Sequence, residues 1–226
     1  MDVRGGEVTI PAGEVELSAD LLAPDGMTGA VLFAHGSGSS RHSPRNVSVA
    51  HRLTSDGLGT VLVDLLTRAE DEVDAVTAEL RFDIGLLADR LVATLDWLAV
   101  ERPFGAVPIG LFGASTGAAA ALIAAARRPD VVRAVVSRGG RPDLAGAALG
   151  EVRAATLLLV GGLDEQVITL NEQARDRMTA PSELRVVPGA THLFAEPGTL
   201  EQVADAAAGW FCDHLHPRPT PVSAPN

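Results

Sequence analysis

A hydroxyl nucleophile needs three groups: the attacking oxygen, a base to take its proton, and a carboxylate to orient that base. Ser115 stands in Gly113-Ala114-Ser115-Thr116-Gly117, which fits G-x-S-x-G. The two glycines let the chain turn sharply, since a β-carbon at either would crowd neighbouring backbone while the serine side chain is thrown outward. The bare pattern is common: with Gly and Ser each near 7% of residues, roughly one chain in ten of this length carries it by chance. Its setting is the informative part. A β-type apolar run at 107–112 comes directly before it and an Ala-rich helical run directly after. Ser115 would therefore stand at a helix N-terminus, whose free N–H groups favour a developing oxyanion.

The candidate base is His192, in Gly189-Ala190-Thr191-His192-Leu193-Phe194, the loop after the last strand-like run. The candidate acid is Asp164, which ends Leu157-Leu158-Leu159-Val160-Gly161-Gly162-Leu163-Asp164. Glu165 is the alternative acid, but as a first helical residue it would face solvent. Groups at the carboxyl ends of parallel strands converge on one edge of a sheet, so Ser115, Asp164 and His192 would share a crevice. Oxyanion donors are expected from the backbone N–H of Thr116 and of Ser37, in His35-Gly36-Ser37-Gly38-Ser39-Ser40, with Gly38 able to replace Ser37. His35 reads as a structural loop residue. Arg41, Arg45, Arg138 and Arg141 fall in loops at the same edge, where guanidinium forks could clamp an anionic part of a substrate. The competing reading pairs them with nearby acidic side chains.

These groups need a scaffold, and the chain supplies one. Strand-like runs at 7–10, 15–22, 30–34, 59–64, 107–112, 131–137, 155–160 and 184–187 alternate with helical patterns at 47–56, 80–100, 115–127, 165–178 and 200–215. This is the pattern of an α/β protein with a mostly parallel eight-stranded sheet and helices on both faces. Only Pro11-Ala12-Gly13 separates the first two strands, so they form an antiparallel hairpin. The one candidate for a cap is 65–79, which predicts an open cleft with a minimal cap or none. A single domain over 1–216 is expected, followed by a proline-rich, disordered tail at 217–226.

Composition narrows the chemistry. The 226 residues are 46% hydrophobic, enough for a large core, and the net charge of −11 argues against a nucleic-acid partner. All 18 basic residues are Arg. The longest aliphatic stretch, 118–126, is about half of the ~20 residues a membrane-spanning helix needs, and the N-terminus has no apolar signal region. With one cysteine, Cys212, there is no internal disulfide, and a cytoplasmic protein is expected. No paired Cys or His spacing suggests a metal, and no cofactor is expected.

The strings from His35 to Asn46, Leu80-Arg81-Phe82-Asp83-Ile84, the serine elbow, Ser137-Arg138-Gly139-Gly140-Arg141-Pro142-Asp143-Leu144 and Pro188 to Phe194 together resemble the dienelactone hydrolase-like branch of the α/β-hydrolase superfamily, including members found beside a phosphoribosyltransferase domain. The order Ser, Asp, His along the chain is also that of α/β-hydrolases. The resemblance covers nearly the whole chain to about Leu215. It implies the α/β-hydrolase fold, with Ser115, Asp164 and His192 as the triad of an ester-cleaving enzyme. Dienelactone hydrolases proper use a cysteine nucleophile, whereas this elbow holds Ser115, which points to a serine carboxylesterase of small esters, thioesters or lactones. The alternatives are a hydrolase-like protein that binds a ligand without turnover, and acyl transfer to another nucleophile such as peroxide.

Overall fold

A computed structural model describes residues 3–215, so the tail expected at 217–226 lies outside the described residues. Eight strands form one sheet: β1 (Val3–Ala12), β2 (Val15–Pro24), β3 (Gly29–Ala34), β4 (Leu58–Val63), β5 (Ile109–Ala114), β6 (Val132–Arg138), β7 (Ala155–Gly161) and β8 (Ser182–Val187). Their spatial order is β1-β2-β4-β3-β5-β6-β7-β8. β2 runs antiparallel to both of its neighbours, and every other pairing is parallel. The expected hairpin is present, with Ala12 opposite Val15 and Gly13 supplying a positive φ at the turn. β1 extends beyond the apolar run that announced it, because backbone pairing continues through Gly5 and Gly6 on an exposed edge strand.

β3, β4, β5 and β7 are buried at every position, which is why they read as continuous apolar runs rather than alternating ones. Successive side chains leave on opposite faces and feed two separate cores. Leu32, Leu111 and Val135 point to one side, where they meet α3 (Ile84–Leu98) and α4 (Thr116–Arg127). Phe33, Phe112 and Val136 point to the other, against α1 (Pro44–Ser55) and α6 (Thr199–Leu215). Phe211 of α6 lies directly on β5, where a β-carbon on Gly110 would come within 2.6 Å of its ring.

Two departures from the sequence reading lie side by side in the chain. The helical pattern at 80–100 is broken: Leu80–Phe82 forms one 3₁₀ turn, and α3 begins after Asp83, whose side chain accepts the Leu86 N–H. The 65–79 segment holds a further helix, α2 (Arg68–Thr77). Its signal is a capping box, in which Thr67 and Glu70 exchange side-chain and backbone hydrogen bonds. Hydrophobic periodicity gives no sign of it, because its one buried residue is a charged one, Asp74, and no apolar stripe marks it. Asp74 accepts hydrogen bonds from the Arg81 backbone N–H at 3.0 Å and from Arg81 Nε at 2.6 Å. That pair fastens α2 beneath the loop that carries Ser37. A 3₁₀ turn at Phe104–Ala106, a kinked 3₁₀ stretch, Pro142–Glu151, and α5 (Glu165–Arg175) complete the described elements.

Removing the Phe211 ring leaves a cavity where α6 meets the sheet. Phe211→Ala is expected to lower unfolding free energy by about 3–5 kcal/mol, measured by urea denaturation. A loss below about 1 kcal/mol would mean that this face of the sheet is not sealed by α6.

Candidate active site

The site begins with a strained turn. Between β5 and α4, Ser115 adopts φ 50°, ψ −120°, a region that costs a non-glycine residue about 1–3 kcal/mol. Three close approaches hold it there. A β-carbon on Gly113 would sit 2.4 Å from the Ala118 Cα, one on Gly117 would sit 2.4 Å from the His35 carbonyl oxygen, and one on Gly36 would sit 3.1 Å from the Ser115 Cβ. The Ser115 N–H donates to the Arg138 carbonyl at 3.2 Å, and its own carbonyl accepts from the N–H groups of Ala118 and Arg141, at 3.1 Å each. Its hydroxyl does not cap the helix, so the side chain stands clear of α4.

His192 and Asp164 are brought together by the loops after β8 and β7. The Leu163 N–H donates to the Ala190 carbonyl at 2.9 Å, and Gly161 allows the Ala190 and Thr191 carbonyls to pack against it, where a β-carbon would lie within 2.6 Å of both. Glu196 grips the same loop, accepting from the Thr191 hydroxyl at 2.7 Å and the Thr191 N–H at 3.0 Å. The hydroxyl bond is the main reason its carboxyl lies below the ordinary range. The result is a contact of 2.6 Å between His192 Nδ1 and Asp164 Oδ2. Donation from Nδ1 to the carboxylate leaves Nε2 as the acceptor of the neutral ring. His192 and Ser115 line one cavity of about 180 Å³, although no hydrogen bond joins the hydroxyl to the imidazole. Such bonds often tighten only when substrate is bound.

Ser37 lines the cavity, and Thr116 is buried as the first residue of α4, with no partner for its hydroxyl among the described residues. The four arginines divide. Arg45 and Arg138 line the cavity; Arg41 and Arg141 are not brought to it. Arg41 is held by three carboxylates, with Nη1 to Asp64 at 2.5 Å, Nη2 to Glu7 at 2.7 Å and Nε to Asp20 at 3.2 Å. Arg141 forks onto Asp143 with two bonds of 2.8 Å. For these two the acid-pairing reading describes the geometry, because each guanidinium is already neutralised and oriented by the carboxylates it bonds. Asn46, Ser39 and Ser43 also line the cavity and were not singled out, although all three lie in the 35–46 string.

His35 occupies a structural position. It is 8% exposed; its Nε2 accepts the Leu65 N–H at 3.0 Å, and its Nδ1 lies 3.0 Å from the Gly36 carbonyl oxygen. Only a neutral ring protonated at Nδ1 makes both bonds. A larger cavity, about 640 Å³, opens between the β1–β2 hairpin and Phe104, but it contains neither Ser115 nor a histidine. Among the described residues no group of three His, Cys, Asp or Glu side chains is arranged to hold a metal. No helix there is long and apolar enough to cross a membrane.

A model of the dienelactone hydrolase family matches residues 19–213. The chain belongs to the dienelactone hydrolase family. The solved dienelactone hydrolase of Anabaena variabilis is 54% identical and superposes with a TM-score of 0.93, covering 95% of this chain and 99% of that one. The mouse alpha/beta hydrolase domain-containing protein 10 is 16% identical with a TM-score of 0.71, over 92% of this chain and 99% of that one, and shares the fold. A Mycobacterium tuberculosis protein named "Putative phosphoribosyl transferase" is 55% identical over 213 residues, 94% of this chain. The chain spans 47%, about half, of that relative's length. The α/β-hydrolase fold expected from the sequence, with its mostly parallel eight-stranded sheet, is thus the fold of the family.

Burial lowers the pKa of His35 from its ordinary 6.5, outweighing the opposing pull of the Gly36 carbonyl, Asp64 and Asp71. Below about pH 6.5 the unfolded chain therefore takes up a proton that the folded chain refuses. Stability that is full above that pH is lost as pH falls toward the folded value. Denaturation at about pH 7 and about pH 5.5 is expected to show this loss in the wild type, and a smaller one in His35→Gln, whose amide can still accept from Leu65. Equal losses in both proteins would show that His35 titrates normally.

Proposed function

We propose that this member of a hydrolase family is a serine esterase that cleaves a carboxylic ester of a small molecule. The observation that carries the reading is the 2.6 Å bond from His192 to Asp164, with the imidazole facing the cavity onto which the strained Ser115 turn opens. Nδ1 is engaged by the carboxylate, so Nε2 is the nitrogen free to accept the Ser115 proton as Oγ attacks the ester carbonyl. Backbone N–H groups of Thr116, at the start of α4, and of Ser37 would receive the tetrahedral oxyanion. Collapse breaks the acyl C–O bond, and the imidazolium returns its proton to the departing alcohol. Water then attacks the acyl-serine, gives its proton to His192, and releases the acid with Ser115 restored. Asp164 orients the ring and stabilises its charged form throughout.

Serine, rather than cysteine, is the nucleophile in this reading. Cys212 lies on α6, packed against the second core, and does not line the cavity, and partial burial pushes its thiol above the ordinary range. A cavity of about 180 Å³ is smaller than the ~300 Å³ typical of drug-sized ligand pockets, so it suits a short acyl or alcohol part.

Intact mass after treatment with a fluorophosphonate, followed by peptide mapping, tests the assignment. The expected result is one adduct, on Ser115, formed far more slowly in His192→Ala. Turnover of short esters should fall at least ~10⁴-fold in Ser115→Ala. Esterase activity at the wild-type level in Ser115→Ala would overturn the reading. A folded wild-type protein that takes no adduct would instead favour ligand binding without turnover.

A further inference from the structure

The cavity at Ser115 carries an uncompensated charge. Arg45 and Arg138 line it together, and no Asp or Glu does. Arg138 is 7% exposed, and its one side-chain hydrogen bond among the described residues runs from Nη2 to Asn46 Oδ1 at 3.3 Å. The Nε atoms of both arginines are buried with no partner among the described residues. Burial first, and then the charge of Arg45, push the Arg138 guanidinium down to about 10, which leaves it protonated at neutral pH. Elsewhere Arg41, Arg81, Arg90 and Arg141 each sit on a carboxylate. In a chain of net charge −11, two neighbouring cations with no acid between them are an expensive arrangement unless a counter-charge arrives from outside.

The charge count selects the ligand. A carboxylate brings one negative charge and would leave one guanidinium unmatched. A phosphate monoester brings about −1.5 to −2 and three acceptor oxygens, enough for both guanidiniums and for neutral donors. Ser39, Ser43 and Asn46 line the same space and can supply such donors. We infer that Arg45 and Arg138 form the seat of a phosphate-monoester group on the substrate, placed beside the ester that Ser115 attacks. The ester half of this statement rests on the hydrolase reading above, whereas the seat rests on the arginines alone. A bound phosphate would also offset the mutual repulsion of the two guanidiniums.

Binding is measured first, on Ser115→Ala, so that the seat is probed without turnover. Calorimetric titration with inorganic phosphate is expected to give affinity at least tenfold above that for acetate. Arg45→Gln in the same background should weaken phosphate binding at least tenfold, and Arg127→Gln, which removes an equal charge from an exposed pair with Asp89, should change it less than twofold. Arg138→Gln should match Arg45→Gln if circular dichroism shows that it folds, and Arg45→Gln decides the matter if it does not. Phosphate binding no tighter than acetate, or unmoved by Arg45→Gln, overturns the proposal.

Turnover then locates the group on the substrate. Wild-type kcat/KM is compared for 2-acetoxyethyl phosphate, for ethyl phosphoglycolate, and for their neutral counterparts of equal length. A preference of at least tenfold for the first places the phosphate on the alcohol side, and for the second on the acyl side. Cleavage of neutral esters with no preference for either phosphorylated one overturns the substrate assignment. If no ester is cleaved while phosphate still binds through Arg45, the hydrolase reading fails and the seat stands.

Discussion

One backbone conformation governs the arrangement of this site. Ser115 can hold φ 50° only because Gly113, Gly117 and Gly36 each omit a β-carbon where another segment passes within about 3 Å. The turn thereby joins β5, α4 and the loop after β3 at one point. That junction lifts the serine side chain off the helix it precedes and sets the α4 N-terminus beside it. The cost of the conformation is met by the surrounding packing: β5 is buried along its length, and α4 from Thr116 to Leu122 is inaccessible to solvent or nearly so.

Around the turn, each loop of the candidate site is fixed by discrete polar contacts, joined in the His192 loop by the buried Ala190 and Phe194. The His192 loop hangs on Glu196 and on the bond from Leu163 to Ala190, which also sets the distance to Asp164. The Ser37 loop is backed on one side by neutral His35, bonded to Leu65, and on another by Arg81, whose guanidinium lies close to Gly38 and is held by buried Asp74. Loops lack the periodic hydrogen bonding of strands, so discrete side-chain bonds must supply the precision that the chemistry requires.

Electrostatics then separates structure from site. The acidic excess is used mainly at the periphery, where carboxylates hold arginines in pairs and networks. At the cavity, by contrast, two arginines withdrawn from full exposure have no carboxylate partner among the described residues. Arg41 and Arg141 illustrate the first use and Arg45 and Arg138 the second, although Arg41 is near Arg45 in the chain and Arg138 near Arg141.

The sheet, its hairpin, the two-faced core and the triad candidates were legible from the chain because they follow local rules. Buried parallel strands must be apolar throughout, crossover helices must have an apolar face, and a serine between two glycines after a strand must turn sharply. α2 was hidden because its buried residue is Asp74, and the break at Asp83 because its apolar spacing runs on past the cap. Whether an arginine faces a carboxylate or an open cavity depends on residues far away in sequence: Asp64 and Glu7 for Arg41, Asn46 for Arg138. The sequence by itself determined the residue types and the strand ends on which they stand. The tertiary structure alone decided which charges cancel, since cancellation depends on distance through space and not along the chain.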